Sequence, residues 1–222
     1  MTLALGPALE KVPGLEARIN EAADSLIALG KFYHQRGWCM GTSGNFSVVL
    51  CRDPFLMMVT ASGKDKSSLG REDFAIVDER GNALEGSPKP SAETLLHVTA
   101  ADKVSAGAVL HTHSVWSTVL SELHGDSGYL DIEGFEMLKG LSGIKTHETR
   151  VRIPIFENAQ DMVEFSQVVS QRFESDTDTM RHSYMIRKHG MHCWGKDLAE
   201  AKRHVEIMEF LLEAVGRLEG MK

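Results

Sequence analysis

The 222-residue chain has little cysteine, no excess of positive charge and no long apolar run. Its three cysteines, Cys39, Cys51 and Cys193, are an odd number without CxxC spacing, which argues against a disulfide framework. They read as small buried hydrophobes, and a reducing cytoplasm is the expected location. Lys and Arg total 24 against 31 Asp and Glu, a net charge of −7. An acidic chain without basic blocks speaks against nucleic acid as the main partner. It leaves room for one phosphorylated metabolite, which a few local donors can bind. No stretch approaches the roughly 20 apolar residues that cross a bilayer, so no membrane partner is expected. The first 16 residues lack the basic n-region of a signal peptide.

What is present is an ordinary globular composition, 42% hydrophobic and 25% charged, long enough to bury a sizeable core. Ile19, Ala22, Ala23, Leu26, Leu29 and Phe32 recur at three- and four-residue spacing, which predicts a helix over Glu16–Gln35. Phe46–Leu50, Phe55–Thr60, Phe74–Val77, Ala106–His113, Val151–Ile155, Tyr184–Ile186 and Met191–Trp194 read as strands. Ser91 is a good N-cap for a helix through Ala101, and Ser114 for one through Leu120. Glu133–Lys139 is a weaker helix; Asp161–Phe173 and Asp197–Val215 are stronger ones. Strands mixed with helices, without strict βαβ alternation, predict a mixed α/β sheet with flanking helices.

The sharpest chemical feature is His111-Thr112-His113. On a strand, residues i and i+2 share a face, so two imidazoles can chelate one ion. A catalytic site of this kind needs a third protein ligand. His189, followed by Gly190 in a corner between two strands, and His192 both qualify, and spacing does not separate them. Ser43-Gly44-Asn45 and Ser62-Gly63-Lys64 are small-residue loops able to present N–H groups and hydroxyls to a phosphate. Lys64 adds a charge. Neither loop matches the Walker pattern, so a nucleotide site is not supported. Two carboxylates have informative neighbours. Glu93 opens a helix, and Glu136 lies in Phe135-Glu136-Met137-Leu138, an apolar setting that would raise its pKa for acid–base work.

Taken in order, Gly44-Asn45, Thr60-Ala61-Ser62-Gly63, Pro90-Ser91-Ala92-Glu93, His111-Thr112-His113-Ser114 and Lys188-His189-Gly190 resemble the class II aldolase/adducin family. The resemblance runs from about residue 18 to 215, so the chain is expected to be one domain spanning residues 1–222. It implies a single α/β/α domain with a central, mostly antiparallel sheet, built as a homotetramer with sites near subunit interfaces. It implies one zinc-like ion per subunit on His111, His113 and His189, other divalent transition metals being possible. It places Asn45, Ser62, Gly63 and Ser91 in the phosphate cradle. The segments Lys89–His97, Glu136–Gly140 and Arg187–Gly195 resemble a branch of the family that removes water from a ketose phosphate, with Glu136 as proton donor. Glu93 falls where the aldolases keep their acid/base glutamate, but some dehydratases have a cysteine there, which leaves the base open. An aldolase or epimerase using the same enediolate chemistry, and a non-catalytic adducin-like scaffold, are the alternatives.

Overall fold

The computed structural model describes residues 12–221; most of the amino-terminal stretch read above for a signal peptide lies outside them. In chain order the elements are α1 (Leu15–Gln35), β1 (Asn45–Arg52), β2 (Phe55–Thr60), β3 (Phe74–Val77), α2 (Thr94–Lys103), β4 (Ala108–Thr112), α3 (Val115–Leu123), β5 (Tyr129–Ile132), β6 (Val151–Phe156), α4 (Met162–Ser175), β7 (Ser183–Ile186), β8 (Gly190–Gly195) and α5 (Leu198–Gly220). The strands form one eight-stranded sheet in the order β3-β2-β1-β4-β8-β7-β6-β5. Neighbouring strands are antiparallel except β6 and β7. This is the expected mostly antiparallel α/β architecture.

The two-residue period of the strands divides the core into two layers. Phe46 and Leu50 of β1, Ala108 and Leu110 of β4, and Met191 and Cys193 of β8 pack against α1 and α5 through Leu26, Leu29, Tyr33, Val205, Met208 and Leu212. Their alternates face the other way. Val109 and Trp194 join Leu96 and Ala100 of α2 and Phe165, Val169 and Phe173 of α4. His111 shares the parity of Val109 and therefore points to the α2 side. Caps hold the helices as their sequences suggest: Ser114 accepts from the Ser117 N–H, and Asp161 and Asp197 cap α4 and α5.

Several boundaries differ from the expectations. α2 begins at Thr94 rather than just after Ser91, because Ser91 closes a turn first. Its carbonyl accepts from the Thr94 N–H, and its hydroxyl from the Glu93 N–H at 3.3 Å. Glu133–Lys139 yields only a 3-10 turn at Glu136–Gly140, packed on α5. β5 follows α3 where the sequence predicts no strand; its four residues, Tyr-Leu-Asp-Ile, are too few to show a period. None of the described helices is long and apolar enough to cross a membrane.

Candidate active site and metal centre

Three neighbouring strands end together at one edge of the sheet. Antiparallel pairing sets Asn45, the first residue of β1, opposite His111, and Thr112, the last of β4, opposite Met191. His113 follows directly, its backbone N–H bonded to the Trp38 carbonyl at 2.8 Å. His189 sits on the turn between β7 and β8. That turn is pinned by the Thr118 hydroxyl donating to the His189 carbonyl at 3.2 Å and by the Lys188 N–H donating to the Ser121 hydroxyl at 3.1 Å. Lys188 adopts φ 55°, a left-handed conformation that costs a non-glycine residue about 1 kcal/mol. Gly190 lets β8 close on β4: a Cβ there would collide with the Thr112 carbonyl oxygen.

The three imidazoles converge through one atom type. His113 Nε2 lies 2.8 Å from His111 Nε2 and 3.1 Å from His189 Nε2, and the third edge is 3.3 Å. His111 Nδ1 donates to the Met191 carbonyl at 3.0 Å, so its Nε2 carries the lone pair. Burial pushes His111 and His113 down to about 3, with His189 adding to both shifts and His111 to that of His113, so both are neutral at neutral pH. Three nitrogens about 2.0–2.1 Å from one tetrahedral ion stand roughly 3.3 Å apart. Lone pairs aimed at one another at these distances repel unless a cation lies between them, so the donor set fits a divalent metal. Glu93 stands beside the three imidazoles. Its Oε2 is 3.2 Å from His111 Nε2 and its Oε1 3.7 Å from His189 Nε2. Among the described residues these four are the only group of three or more His, Cys, Asp or Glu side chains placed to hold an ion.

His192, the rival for third ligand, is not in this group. It points to the α2 side from inside β8, fully buried, and stacks on the His111 ring with centroids 3.9 Å apart. Sequence spacing leaves the two histidines equivalent; the turn, which throws His189 over the strand end, separates them.

The ligands open into a cleft of about 300 Å³ lined by Ser43, Asn45, Ser62, Gly63, Ser91, Glu93, His113 and His189, with Lys66 at its wall. Asn45, Ser62, Gly63 and Ser91 are thus brought together as expected. The Ser43 hydroxyl is buried without a partner among the described residues, an orphan donor at the wall of a cleft suited to an anion. Lys64 is not brought there: its ammonium pairs with Asp73 at 2.8 Å and does not line the cleft. Lys66 does. It is fully buried, donating to the carbonyls of Thr42 at 3.1 Å and Lys64 at 2.5 Å, and burial lowers its pKa. Two residues of loop geometry, which no local pattern encodes, exchange the two lysines.

Glu136 departs further from its expected setting. Its side chain is 67% exposed and paired with Lys139 and with His147 at 3.2 Å. The Lys139 ammonium, aided by His147, holds its pKa below the usual range, whereas an apolar setting would raise it. Its turn anchors through Leu138 and Leu141 in the α1/α5 layer, across the sheet from Glu93, and it does not line the cleft.

A fold of this topology with three imidazoles at a strand end defines a class of metal-dependent α/β/α proteins. The family model for the class II aldolase and adducin N-terminal domain matches residues 24–215. The chain belongs to that family. Among solved structures, an L-fuculose 1-phosphate aldolase superposes with TM-score 0.72 at 22% identity, covering 90% of this chain and 87% of that one. The L-fuculose-1-phosphate aldolase of Thermus thermophilus gives 0.69 at 22%, covering 93% and 98%. At such identity these establish the fold. Closer in sequence are proteins named methylthioribulose-1-phosphate dehydratase. That of Pectobacterium atrosepticum is 44% identical over 195 residues, 87% of this chain and 93% of the relative. That of Methylococcus capsulatus is 42% identical over 208 residues, 93% and 98%.

Proposed function

We propose that the chain is a metal-dependent hydro-lyase that dehydrates 5-methylthioribulose 1-phosphate to 5-methylthio-2,3-dioxopentyl phosphate, a step of methionine salvage. The observation that carries the reading is the convergence of three imidazole Nε2 atoms beside Glu93 in a cleft lined by small hydroxyl and amide side chains. The near-full-length similarity to relatives of that name supports the substrate. His111, His113 and His189 would hold the ion, zinc being the best match to three neutral imidazoles with an open position. Bound there, a divalent ion supplies Lewis-acid polarisation of the ketose carbonyl, with no change of redox state.

The remaining work falls to side chains of the protein. Glu93 removes the C3 proton. Its Oε2 is occupied by the Asn45 amide at 2.6 Å, while Oε1 has no hydrogen-bond partner among the described residues and is the oxygen left free to take the proton. Ser43, Asn45, Ser62, Gly63 and Ser91 bind the phosphate, and Lys66 holds their two loops together. The C4 hydroxyl leaves as water after receiving a proton from Glu136, which gives up its Lys139 and His147 partners on entering the cleft and is protonated there, and the enol relaxes to the diketone. Because the Glu136 turn belongs to the opposite layer, Glu136 acts on the cleft of a second copy within a homotetramer.

The test is complementation. Glu136→Gln and His111→Ala proteins are each assayed for diketone formation, then mixed under conditions that exchange subunits. Each alone should fall at least about 10²-fold, and the mixture should regain activity. Two inactive parents that never complement would remove Glu136 from the neighbouring site. Cleavage of sugar phosphates to aldehyde fragments, without dehydration, would replace the proposed reaction with an aldolase one.

A further inference from the structure

Behind Glu93 lies a buried chain of polar side chains, to two of which, His97 and Ser47, the reaction scheme assigns nothing. Asn45 and Ser47 share one face of β1, two residues apart. Glu93 and His97 share one face at the start of α2, four residues apart. The four meet between sheet and helix. The Asn45 amide nitrogen stands 2.6 Å from Glu93 Oε2, and Asn45 Oδ1 stands 2.5 Å from His97 Nε2. His97 Nδ1 is 2.8 Å from the Ser47 hydroxyl, which also lies 3.5 Å from the Val109 carbonyl. His97 and Ser47 are fully buried, and Asn45 nearly so.

The hydrogen-bond directions in this chain are fixed from one end. Asn45 Nδ2 donates to Glu93 Oε2, so the side of Asn45 facing Glu93 is its NH2. The side facing His97 is then its carbonyl oxygen, which also only accepts. His97 must therefore carry its proton on Nε2 and present a lone pair at Nδ1, which the Ser47 hydroxyl fills. A flipped Asn45 would set two acceptor oxygens 2.6 Å apart in a dry interior. Burial keeps the His97 ring neutral, so one nitrogen alone carries a proton.

We propose that His97 is a positioning residue: as the Nε2–H tautomer, supported at Nδ1 by the Ser47 hydroxyl, it fixes the Asn45 amide, which ties down Glu93 Oε2 and leaves Oε1 as the one carboxylate oxygen free of a hydrogen bond. The inference rests on Glu93 being the base of the proposed reaction, but its structural half stands independently of that assignment.

The test has two arms. In the first, long-range 1H–15N correlation on the wild-type protein, with the His97 signals assigned by their loss in His97→Gln, reports the tautomer. Nε2–H is expected. Nδ1–H, or a protonated ring at neutral pH, overturns the proposal whatever the activity. In the second, His97→Gln, whose amide N–H reaches the Nε2 position, is compared with His97→Phe, which fills the space without a donor. His97→Gln should stay within about 3-fold of wild type. His97→Phe should lose roughly 10- to 100-fold in kcat, with KM and bound metal per chain unchanged. Equal kcat for His97→Phe and wild type overturns the proposal. If His97→Phe fails to fold, Ser47→Ala replaces it: the Nε2–H preference should weaken in the spectrum, and an unchanged tautomer population overturns the role of Ser47. A wild-type protein inactive on the ketose phosphate would sink the proposed reaction instead, while the spectrum still decides the relay.

Discussion

Replacing Glu209 by Gln should make the protein more stable at alkaline pH and change little at acid pH. Glu209 lies on α5, fully buried beneath β4, where Oε1 accepts the Thr112 hydroxyl at 2.8 Å. Oε2 has no partner among the described residues. Burial, only partly offset by the Ser114 and Thr112 hydroxyls, pushes its pKa from 4.5 up to about 7. The folded state thus keeps the proton that the unfolded chain releases near pH 4.5. The stability tied to this group is complete below that pH and is lost as pH rises through about 7. At 1.36 kcal/mol per pH unit the whole loss is about 3 kcal/mol, of which about 2.5 kcal/mol falls between about pH 5 and pH 8.

Glutamine keeps the carbonyl acceptor for Thr112 and has no proton to lose. Melts of wild type and Glu209→Gln across about pH 5 to 8 isolate the effect, because the histidines titrate alike in both and cancel in the difference. The gap in favour of Glu209→Gln should widen by about 2.5 kcal/mol toward pH 8, or roughly 5–10 °C in Tm. Parallel curves across that range would show that Glu209 does not hold a proton in the fold, and the account of its environment would fail.

Gly190→Ala should be badly tolerated, since the new Cβ would collide with the Thr112 carbonyl; a loss of about 3 kcal/mol by denaturant unfolding and reduced metal uptake are expected. His189→Ala should purify with little metal while His192→Ala retains it; equal loss in elemental analysis would return the third ligand to dispute. Lys66→Met should raise KM for a phosphorylated substrate at least about 10-fold by loosening both loops, whereas Lys64→Met, which breaks only the half-exposed pair with Asp73, should leave KM within about 2-fold.

Much of this was legible in the sequence because its periods are physical. The three- and four-residue spacing of Ala22, Leu26 and Leu29 marks the buried stripe of α1, and the strand parity of His111 places it beside Val109. What failed to show was whatever depends on contacts between distant segments. Glu136 sits among apolar neighbours in sequence, but Phe135 and Leu138 pack on the core while Glu136 points to solvent. Lys64 follows the Ser62-Gly63 pair, yet the tight approach of α1 at Gly30 to the Lys66 carbonyl fixes a loop that buries Lys66 instead. His97 was visible only as one histidine among many. Its four-residue offset from Glu93 is the one local signal that the two share a face.

The location of the centre follows from the topology. β1, β4 and β8 are consecutive in the sheet and antiparallel, so the start of β1, the end of β4 and the start of β8 coincide. Segments far apart in sequence thereby deliver Asn45, His111, His113 and His189 to one edge, and α2, crossing that face, adds Glu93 and His97. The same alternation sends Thr112 through the sheet to Glu209, so the ligand strand is gripped from behind while its histidines face forward. The arrangement brings His111, His113, His189 and Glu93 together from one chain. It cannot supply Glu136, whose turn is anchored on α5 on the far side of the sheet. With Glu136 as the acid of the proposed reaction, that acid would come from another copy of the chain, and assembly would be a condition of catalysis.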